Sequence, residues 1–188
     1  MLELIQIKRV LKQQLSPSRF DHSAGVAETA VQLAQRYGAR IEAARLAGWL
    51  HDYARDLPAE RLIELAERAH LITCTLERKV PDLLHGPVAA TLIESIFAIT
   101  DAEIKQAIAV HTLGTENMGL LDKILYVADL IEPGRNYPGV EQLRRLAEVN
   151  LDQALLTGFN QTLRYCLEKN YLLHPQTIQA RNYLLEQI

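Results

Sequence analysis

The chain has 188 residues, of which 48% are hydrophobic and 23% are charged, so it is long enough for one well-buried domain. Its formal net charge of -3 gives no chain-wide basic field, which argues against a protein whose main role is to bind duplex nucleic acid. The two cysteines are far apart in sequence and predict neither a disulfide framework nor a thiolate zinc site.

The first segment, MLELIQIKRVLKQQL, carries charged residues within its apolar positions and lacks a small-residue cleavage site, so it does not read as a secretory signal. No later window contains the roughly 18 uncharged apolar residues that a membrane span needs. We therefore expect a cytoplasmic protein.

Apolar residues recur at spacings of three and four along almost the whole chain, which predicts an all-α fold, a single helical bundle over residues 1–188. Helix starts are predicted at Ser16–Pro17, Pro58, Thr100, Asn150 and Pro175, and stops at Gly38 and Gly114. Thr100 with Glu103 is predicted to form a capping box. Later helices are expected at 118–131, 139–148, 151–169 and 175–187. Residues 70–84 blur the helical period and predict a connector into the helix that carries His85.

Six metal-ligand residues occur within this apolar, helical context, and we call them the His–Asp set. They are His22, His51, Asp52, His85, His111 and Asp129. Each histidine alone has a plain structural explanation, a core ring hydrogen-bonded to a carbonyl. Together, imidazole nitrogens and carboxylate oxygens are ligands of first-row divalent metals, and a helical bundle can project them inward from facing helices. The set predicts a metal site in the core.

Four histidines and two aspartates exceed what one ion usually needs. Neighbouring side chains on a helix diverge by about 100°, so His51 and Asp52 need not bind the same ion in the same way. Asp52 could bridge one ion held by His22, His51 and Asp129 to a second held by His85 and His111. One ion or two both remain open.

The order of the His–Asp set resembles that of the HD-domain superfamily of metal-dependent phosphohydrolases. Within it, the chain looks like the bacterial YqeK family, nearly end to end, in RFDHSAGVAETA, LAGWLHDYARD, LLHGPVAA, ADLIEPGRNYPGV and TIQARNYLL. The resemblance implies a single HD domain over residues 1–188, with the metal ligands between 22 and 129 and C-terminal helices over 130–188 packing on them.

The same resemblance implies a symmetrical dinucleoside tetraphosphatase. Such an enzyme splits the central phosphoric anhydride of diadenosine tetraphosphate into two ADP, with metal-bound hydroxide as nucleophile. One or two iron ions are the implied cofactor, and manganese, cobalt, nickel or zinc stay open because ligand count alone does not select the metal. We expect a nucleotide partner, with ADP or GDP as a product-like ligand, no nucleic acid and no membrane, and a homodimer is left open.

Several cations lie near the His–Asp set in sequence and are expected to bind substrate phosphates. They are Arg19, Arg55, Lys123 and Arg135. Guanidinium can bind phosphate through two parallel hydrogen bonds, and we assign catalytic roles to Arg55 and Arg135 beside Asp52. For Arg19 and Arg55 the structural alternative is a half-solvated salt bridge with Asp21 or Asp56. Arg135 lies in EPGRNYPG, a segment typical of an ordered loop that closes over a ligand.

Two other functions remain open at this stage. One is the same chemistry on a deoxynucleoside triphosphate, a cyclic nucleotide or a guanosine alarmone. The other is a non-catalytic nucleotide-binding helical module that keeps a metal for folding, although a structural metal needs only four ligands. His70 and His174 lie outside the set and are expected at the surface. Gly86 and Gly114 follow ligand histidines and predict either close backbone approach or helix ends.

Overall fold

The structure is a computed structural model that describes residues 3–188; the first two residues of the predicted single domain lie outside the described part. These residues form eleven α-helices and no strand, so the all-α prediction is confirmed. The helices are α1 Leu4–Gln14, α2 Pro17–Tyr37, α3 Ile41–Leu50, α4 Ala59–Arg68, α5 Thr75–Lys79, α6 His85–Phe97, α7 Ala102–Val110, α8 Leu120–Ile131, α9 Val140–Val149, α10 Leu151–Glu168 and α11 Pro175–Gln187.

Most predicted helix boundaries are confirmed. Ser16 is the N-cap of α2, and Pro17 is its first residue, where a missing N–H costs nothing. Gly38 ends α2 with a φ of 76°, the left-handed conformation that glycine adopts without strain. Asn150 caps α10 and Pro175 begins α11, as their residue types predict.

The predicted capping residue of α7 is wrong by one position. Asp101, and not Thr100, is the N-cap, and its Oδ1 accepts hydrogen bonds from the backbone N–H groups of Glu103 at 3.0 Å and Ile104 at 3.3 Å. A carboxylate at this position satisfies two free donors and also faces the positive end of the helix dipole.

Replacing Asp101 by Ala is therefore expected to lower the free energy of unfolding by about 1 kcal/mol, and replacing Thr100 by Ala by much less. Urea denaturation measures both changes in the free energy of unfolding, provided that the variants and wild type have the same m-value. Asp101 also pairs with the exposed Arg40 at 2.7 Å, so Arg40→Ala is the control that separates the ion pair from the cap. A larger loss for Thr100→Ala would contradict the assignment.

Helix α7 also ends earlier than its glycine predicts. The last helical residue is Val110, and His111 is the C-cap. The chain then makes a further turn that closes at Gly114, whose N–H donates to the Val110 carbonyl at 2.7 Å and whose φ is 69°. The turn leaves His111 at the end of the helix.

The connector over residues 70–84 contains the short helix α5 and a 3-10 turn over Pro81–Leu84, and it leads directly into α6 at His85. The buried carboxylate of Glu77 fixes the start of the connector. It accepts hydrogen bonds from the backbone N–H groups of Thr73 at 2.7 Å and Cys74 at 2.9 Å. The connector thus fixes where His85 enters the core.

The expectation that His174 lies at the surface is wrong. Its Nδ1 accepts from the backbone N–H of Gln176 at 3.2 Å and caps α11, while its Nε2 lies 3.4 Å from Oε1 of the buried Glu77. A histidine before a proline at a helix start can cap that helix, and here it also joins α11 to α5. His70 is exposed, as expected.

The packing of the helices determines where the His–Asp set can meet. Helix α2 lies along α3 and α8, α6 lies along α7, and α7 also contacts α3 and α8. Helices α9 and α10 pack on α8, and α11 packs on α10. The five helices α2, α3, α6, α7 and α8 therefore surround one core region. No helix in the described range is both long enough and apolar enough to cross a bilayer.

Candidate metal centre

Asp52 lies in the middle of the His–Asp set, with each of its two oxygens near a pair of histidines. Its Oδ1 is 3.1 Å from Nε2 of His85 and 3.7 Å from Nε2 of His111. Its Oδ2 is 3.3 Å from Nε2 of His51 and 3.7 Å from Nε2 of His22. One carboxylate thus faces nitrogen donors on both sides, the arrangement a bridging ligand requires.

Asp129 completes one side of this arrangement. Its Oδ1 lies 2.9 Å from Nε2 of His22 and 3.9 Å from Nε2 of His51. On the other side, the Nε2 atoms of His85 and His111 are 3.0 Å apart. Two overlapping triads have ligand atoms that all lie within 4.8 Å of one another: His22 with His51 and Asp129, and His51 with Asp52 and His111.

Three of the four histidines each form the same type of hydrogen bond to a backbone carbonyl. Each occupies the C-cap of a helix or 3-10 turn. Each ring Nδ1 contacts the carbonyl three residues earlier, which at such an end is within reach of the ring. The pairs are His51 with Gly48 at 2.8 Å, His111 with Ile108 at 2.7 Å, and His85 with Asp82. Because Nδ1 must donate to a carbonyl, Nε2 is the nitrogen with the free lone pair.

These residues fit a divalent metal. The Nε2 atom of His51 is buried and has no hydrogen-bond partner within residues 3–188, although it lies 3.3 Å from Oδ2 of Asp52. A buried nitrogen without a partner is costly, and a metal ion would satisfy it. The donors are imidazole nitrogens and carboxylate oxygens without sulfur, which suits ions such as iron, manganese, cobalt, nickel and zinc.

The fourth histidine has a different partner, which the sequence reasoning missed. Nδ1 of His22 lies 3.1 Å from Oε1 of Glu132, a buried residue directly after α8. A carboxylate behind a metal-ligand histidine is a common supporting contact. The available signal was the position of Glu132, three residues after Asp129 in an otherwise apolar helix end.

Thr112 was also missed. Its hydroxyl oxygen lies 3.2 Å from Nε2 of His111 and 3.3 Å from Nε2 of His85. No sequence signal distinguished this threonine from other loop residues, because its position depends on the turn that ends α7. It places a neutral polar group beside two imidazole nitrogens of the His–Asp set.

The charges in the cluster favour ionised carboxylates, and they shift the pKa values of His22 and His85 in opposite directions. Burial would raise the pKa of the Asp52 carboxyl, but the surrounding histidines hold that pKa well below its usual range. Burial also opposes ionisation of Asp129, yet contact with His22 lowers its pKa. Burial lowers the pKa of His85, whereas the Asp129 carboxylate outweighs burial and raises the pKa of His22. Ionised carboxylates and a neutral imidazole are the species that bind metals.

Two of the four predicted phosphate-binding cations contact the cluster. Nη1 of Arg19 lies 2.6 Å from Oδ2 of Asp52, and Nη2 of Arg135 lies 2.5 Å from Oδ1 of Asp129. Their side chains are 28% and 36% exposed, so both lie between the buried carboxylates and solvent. Arg19 therefore pairs with a cluster residue and not with Asp21.

The other two cations pair elsewhere. Nη1 of Arg55 lies 3.2 Å from Oδ2 of Asp82, and the carboxylate of Asp56 instead accepts from the backbone N–H of Ser16 at 2.7 Å. Nζ of Lys123 pairs with Asp152 at 2.7 Å, on the side of α8 covered by α10. Among the described residues, neither cation forms a hydrogen bond or ion pair with the His–Asp set, so their assignment to substrate stays a prediction.

The sequence pattern of the HD domain family matches residues 19–134, a range that includes the whole His–Asp set. A Bacillus subtilis protein named "Bis(5'-nucleosyl)-tetraphosphatase, symmetrical" is 39% identical over 93% of this chain and 94% of its own length. A Staphylococcus aureus protein of the same name is 33% identical over 97% of this chain and 94% of its own length.

The fold has a solved counterpart. A crystal structure from Clostridium acetobutylicum, described as a predicted HD superfamily hydrolase involved in NAD metabolism, matches with a TM-score of 0.97 and 40% identity. The match covers 100% of this chain and 100% of that chain, so the helices of the C-terminal third are shared as well.

Proposed function

The chain belongs to the HD domain family, and its relatives at 33% and 39% identity are named symmetrical bis(5'-nucleosyl)-tetraphosphatase. We propose that this chain hydrolyses diadenosine tetraphosphate to two ADP. The observation that carries the proposal is the convergence of four imidazole rings and two carboxylates on one core region. A purely structural metal site would not need this number of ligands.

We propose that the His–Asp set holds one or two divalent ions, with iron as the ion that the family resemblance implies. When bound, such an ion supplies Lewis-acid stabilisation of phosphoryl oxygens and lowers the pKa of its water ligand. The position of Asp52 between the two histidine pairs suits a ligand shared by two ions. The sequence prediction of a bridging aspartate is retained in this proposal.

The arginines supply the charge that a polyphosphate requires. Arg135 uses Nε and Nη2 in its contacts with described residues, so Nη1 keeps its donors for a phosphate oxygen. Arg19 contacts Asp52 through Nη1 alone within the same range. Both guanidiniums are therefore able to bind phosphate at the edge of the cluster without leaving their carboxylates.

Product analysis tests the proposal. Protein loaded anaerobically with iron is incubated with diadenosine tetraphosphate, and the products are separated by chromatography; we expect ADP alone. Equal amounts of ATP and AMP would refute the symmetrical reaction. Hydrolysis of deoxynucleoside triphosphates, cyclic nucleotides or guanosine alarmones in place of any tetraphosphate would assign the site to another substrate. Substoichiometric metal without turnover would favour a non-catalytic module.

Replacing Arg135 by Ala is expected to raise KM by roughly tenfold with a smaller loss in kcat, because one phosphate contact of about 1.4 kcal/mol is lost equally in the ground and transition states. Steady-state kinetics on diadenosine tetraphosphate measures both constants. Arg145, an exposed residue of α9, offers an Arg→Ala control that removes the same charge elsewhere on the surface. An unchanged KM would assign Arg135 to structure alone.

A further inference from the structure

His22 cannot obtain the carbonyl partner that the other three histidines use. It lies within the regular part of α2, where each carbonyl already accepts a bond from the N–H four residues later. The other three rings lie at C-caps, where the carbonyl three residues earlier is within reach of Nδ1. The orientation of the His22 ring therefore depends on a group from outside its own helix.

Glu132 supplies that group and is itself firmly held. Its Oε1 is 3.1 Å from Nδ1 of His22, and its Oε2 accepts from the backbone N–H of Gly134 at 2.6 Å. The residue is only 5% exposed, so few alternative positions are open to the carboxylate. A carboxylate that accepts from Nδ1–H favours the tautomer whose Nε2 lone pair is directed at the cluster. It competes with Oδ1 of Asp129, which lies 2.9 Å from Nε2 and favours the opposite tautomer.

Two glycines make room for this carboxylate. A Cβ atom at Gly25, one turn after His22 on α2, would lie 2.6 Å from Oε2 of Glu132. A Cβ atom at Gly134 would lie 3.0 Å from both of its oxygens. Any larger residue at Gly25 must displace the carboxylate, because the distance is shorter than atoms tolerate.

Helix α9 braces the backbone around Glu132. Nη2 of Arg144 donates to the carbonyls of Glu132 at 2.8 Å and Arg135 at 2.9 Å, and its Nε donates to the carbonyl of Ile131 at 2.9 Å. One guanidinium thus fixes the first half of the loop that joins α8 to α9. The loop presents Glu132 to His22 and Arg135 to Asp129.

We propose that Glu132 is a positioning residue that sets the tautomer and direction of His22 for metal binding, and that Gly25 is required to admit it. The inference rests on the metal site of the proposed function. Glu132 is assigned no contact with the reacting atoms. Its Oε1 also lies 3.9 Å from Nε of Arg135, so the test measures metal binding without substrate, where its effect on His22 is isolated from any effect on phosphate binding.

Metal titration tests the inference without turnover. Binding of Mn²⁺ or Co²⁺ alone to metal-free protein is measured calorimetrically for wild type, Glu132→Gln, Glu132→Ala and Gly25→Ala. We expect each variant to bind about 10- to 100-fold more weakly, the usual cost of losing a partner behind a ligand histidine. Gly119→Ala is the matched control, since its Cβ would lie at an ordinary 3.6 Å from Asp122, and its affinity should equal that of wild type.

A spectroscopic measurement separates positioning from general damage. Nitrogen-15 shifts of the His22 ring, assigned by comparison with His22→Gln, are recorded in metal-free protein at alkaline pH. We expect a larger share of the Nδ1–H form in wild type than in Glu132→Ala and Gly25→Ala, because in those variants only the Asp129 carboxylate still accepts from the ring. Unchanged affinity and an unchanged tautomer in folded variants would overturn the inference. If wild type binds neither ion, the proposed function fails, and the tautomer still decides the role of Glu132.

Discussion

Asp52→Asn is expected to lower turnover more than about 100-fold and to remove bound metal, because losing a residue that merely orients a ligand already costs 10- to 100-fold. The amide keeps the shape of the side chain and removes its negative charge. That charge faces histidine nitrogens from both oxygens, at 3.1 Å on the His85 side and 3.3 Å on the His51 side. An amide offers a single acceptor oxygen, so it cannot serve both sides at once.

The measurement is metal per chain by elemental analysis together with turnover on diadenosine tetraphosphate. Asp21→Asn is the matched control, because Asp21 precedes His22 on α2 and its side chain is exposed. Asp21→Asn removes one negative charge, as Asp52→Asn does, but it does so at the surface. This variant should therefore behave as wild type. His51→Ala should reproduce the Asp52→Asn result through a different ligand. Wild-type metal content in either cluster variant would remove that residue from the ligand set.

Sequence identified the members of the cluster because chemistry restricts the residue types. Histidine and aspartate in apolar helical context need partners, so six such residues in one bundle predict a common site. Residue type also predicted the helix boundaries wherever a single capping residue determines them, as at Ser16, Gly38 and Asn150. It failed at Asp101, where two adjacent residues could both cap the helix.

The supporting contacts could not be predicted in this way, because they depend on how helix ends face one another. Glu132 contacts His22 although the two residues are 110 positions apart in sequence, and no local sequence feature of either residue identifies the other. His174 likewise has the residue type of a surface position, and only the packing of α11 on the connector places it beside Glu77. Tertiary contacts of this kind are set by helix packing and not by local pattern.

Gly48 of α3, the helix that ends at His51, packs directly against the backbone of α2, the helix that carries His22. A Cβ atom at this position would lie 2.4 Å from Cα and 2.7 Å from N of Ala27. Both atoms belong to the backbone of α2, so no side-chain rotation can relieve the overlap. The helix axes themselves would have to separate.

Gly48→Ala is therefore expected to lower the free energy of unfolding by roughly 1–3 kcal/mol, the usual cost of overpacking a core, and to weaken metal binding in the protein that still folds. The second effect arises because His22 and His51 are carried by the separated helices and both lie within 4 Å of Asp129, at 2.9 Å and 3.9 Å. Urea denaturation and Co²⁺ titration measure the two effects.

Gly86→Ala provides the comparison that localises the damage. Its Cβ would lie 2.9 Å from the Ile108 carbonyl and 3.1 Å from Nδ1 of His111, so it separates α6 from α7 and disturbs the pair formed with His85. Gly48→Ala acts on the side of the cluster that contains Asp129. Because ligand positions must be held closely for tight binding, each substitution should weaken the sites on its own side more than those on the other. If Gly48→Ala destabilised the fold while leaving Co²⁺ affinity at the wild-type value, the spacing of α2 and α3 would not be what holds His22 and His51 in place.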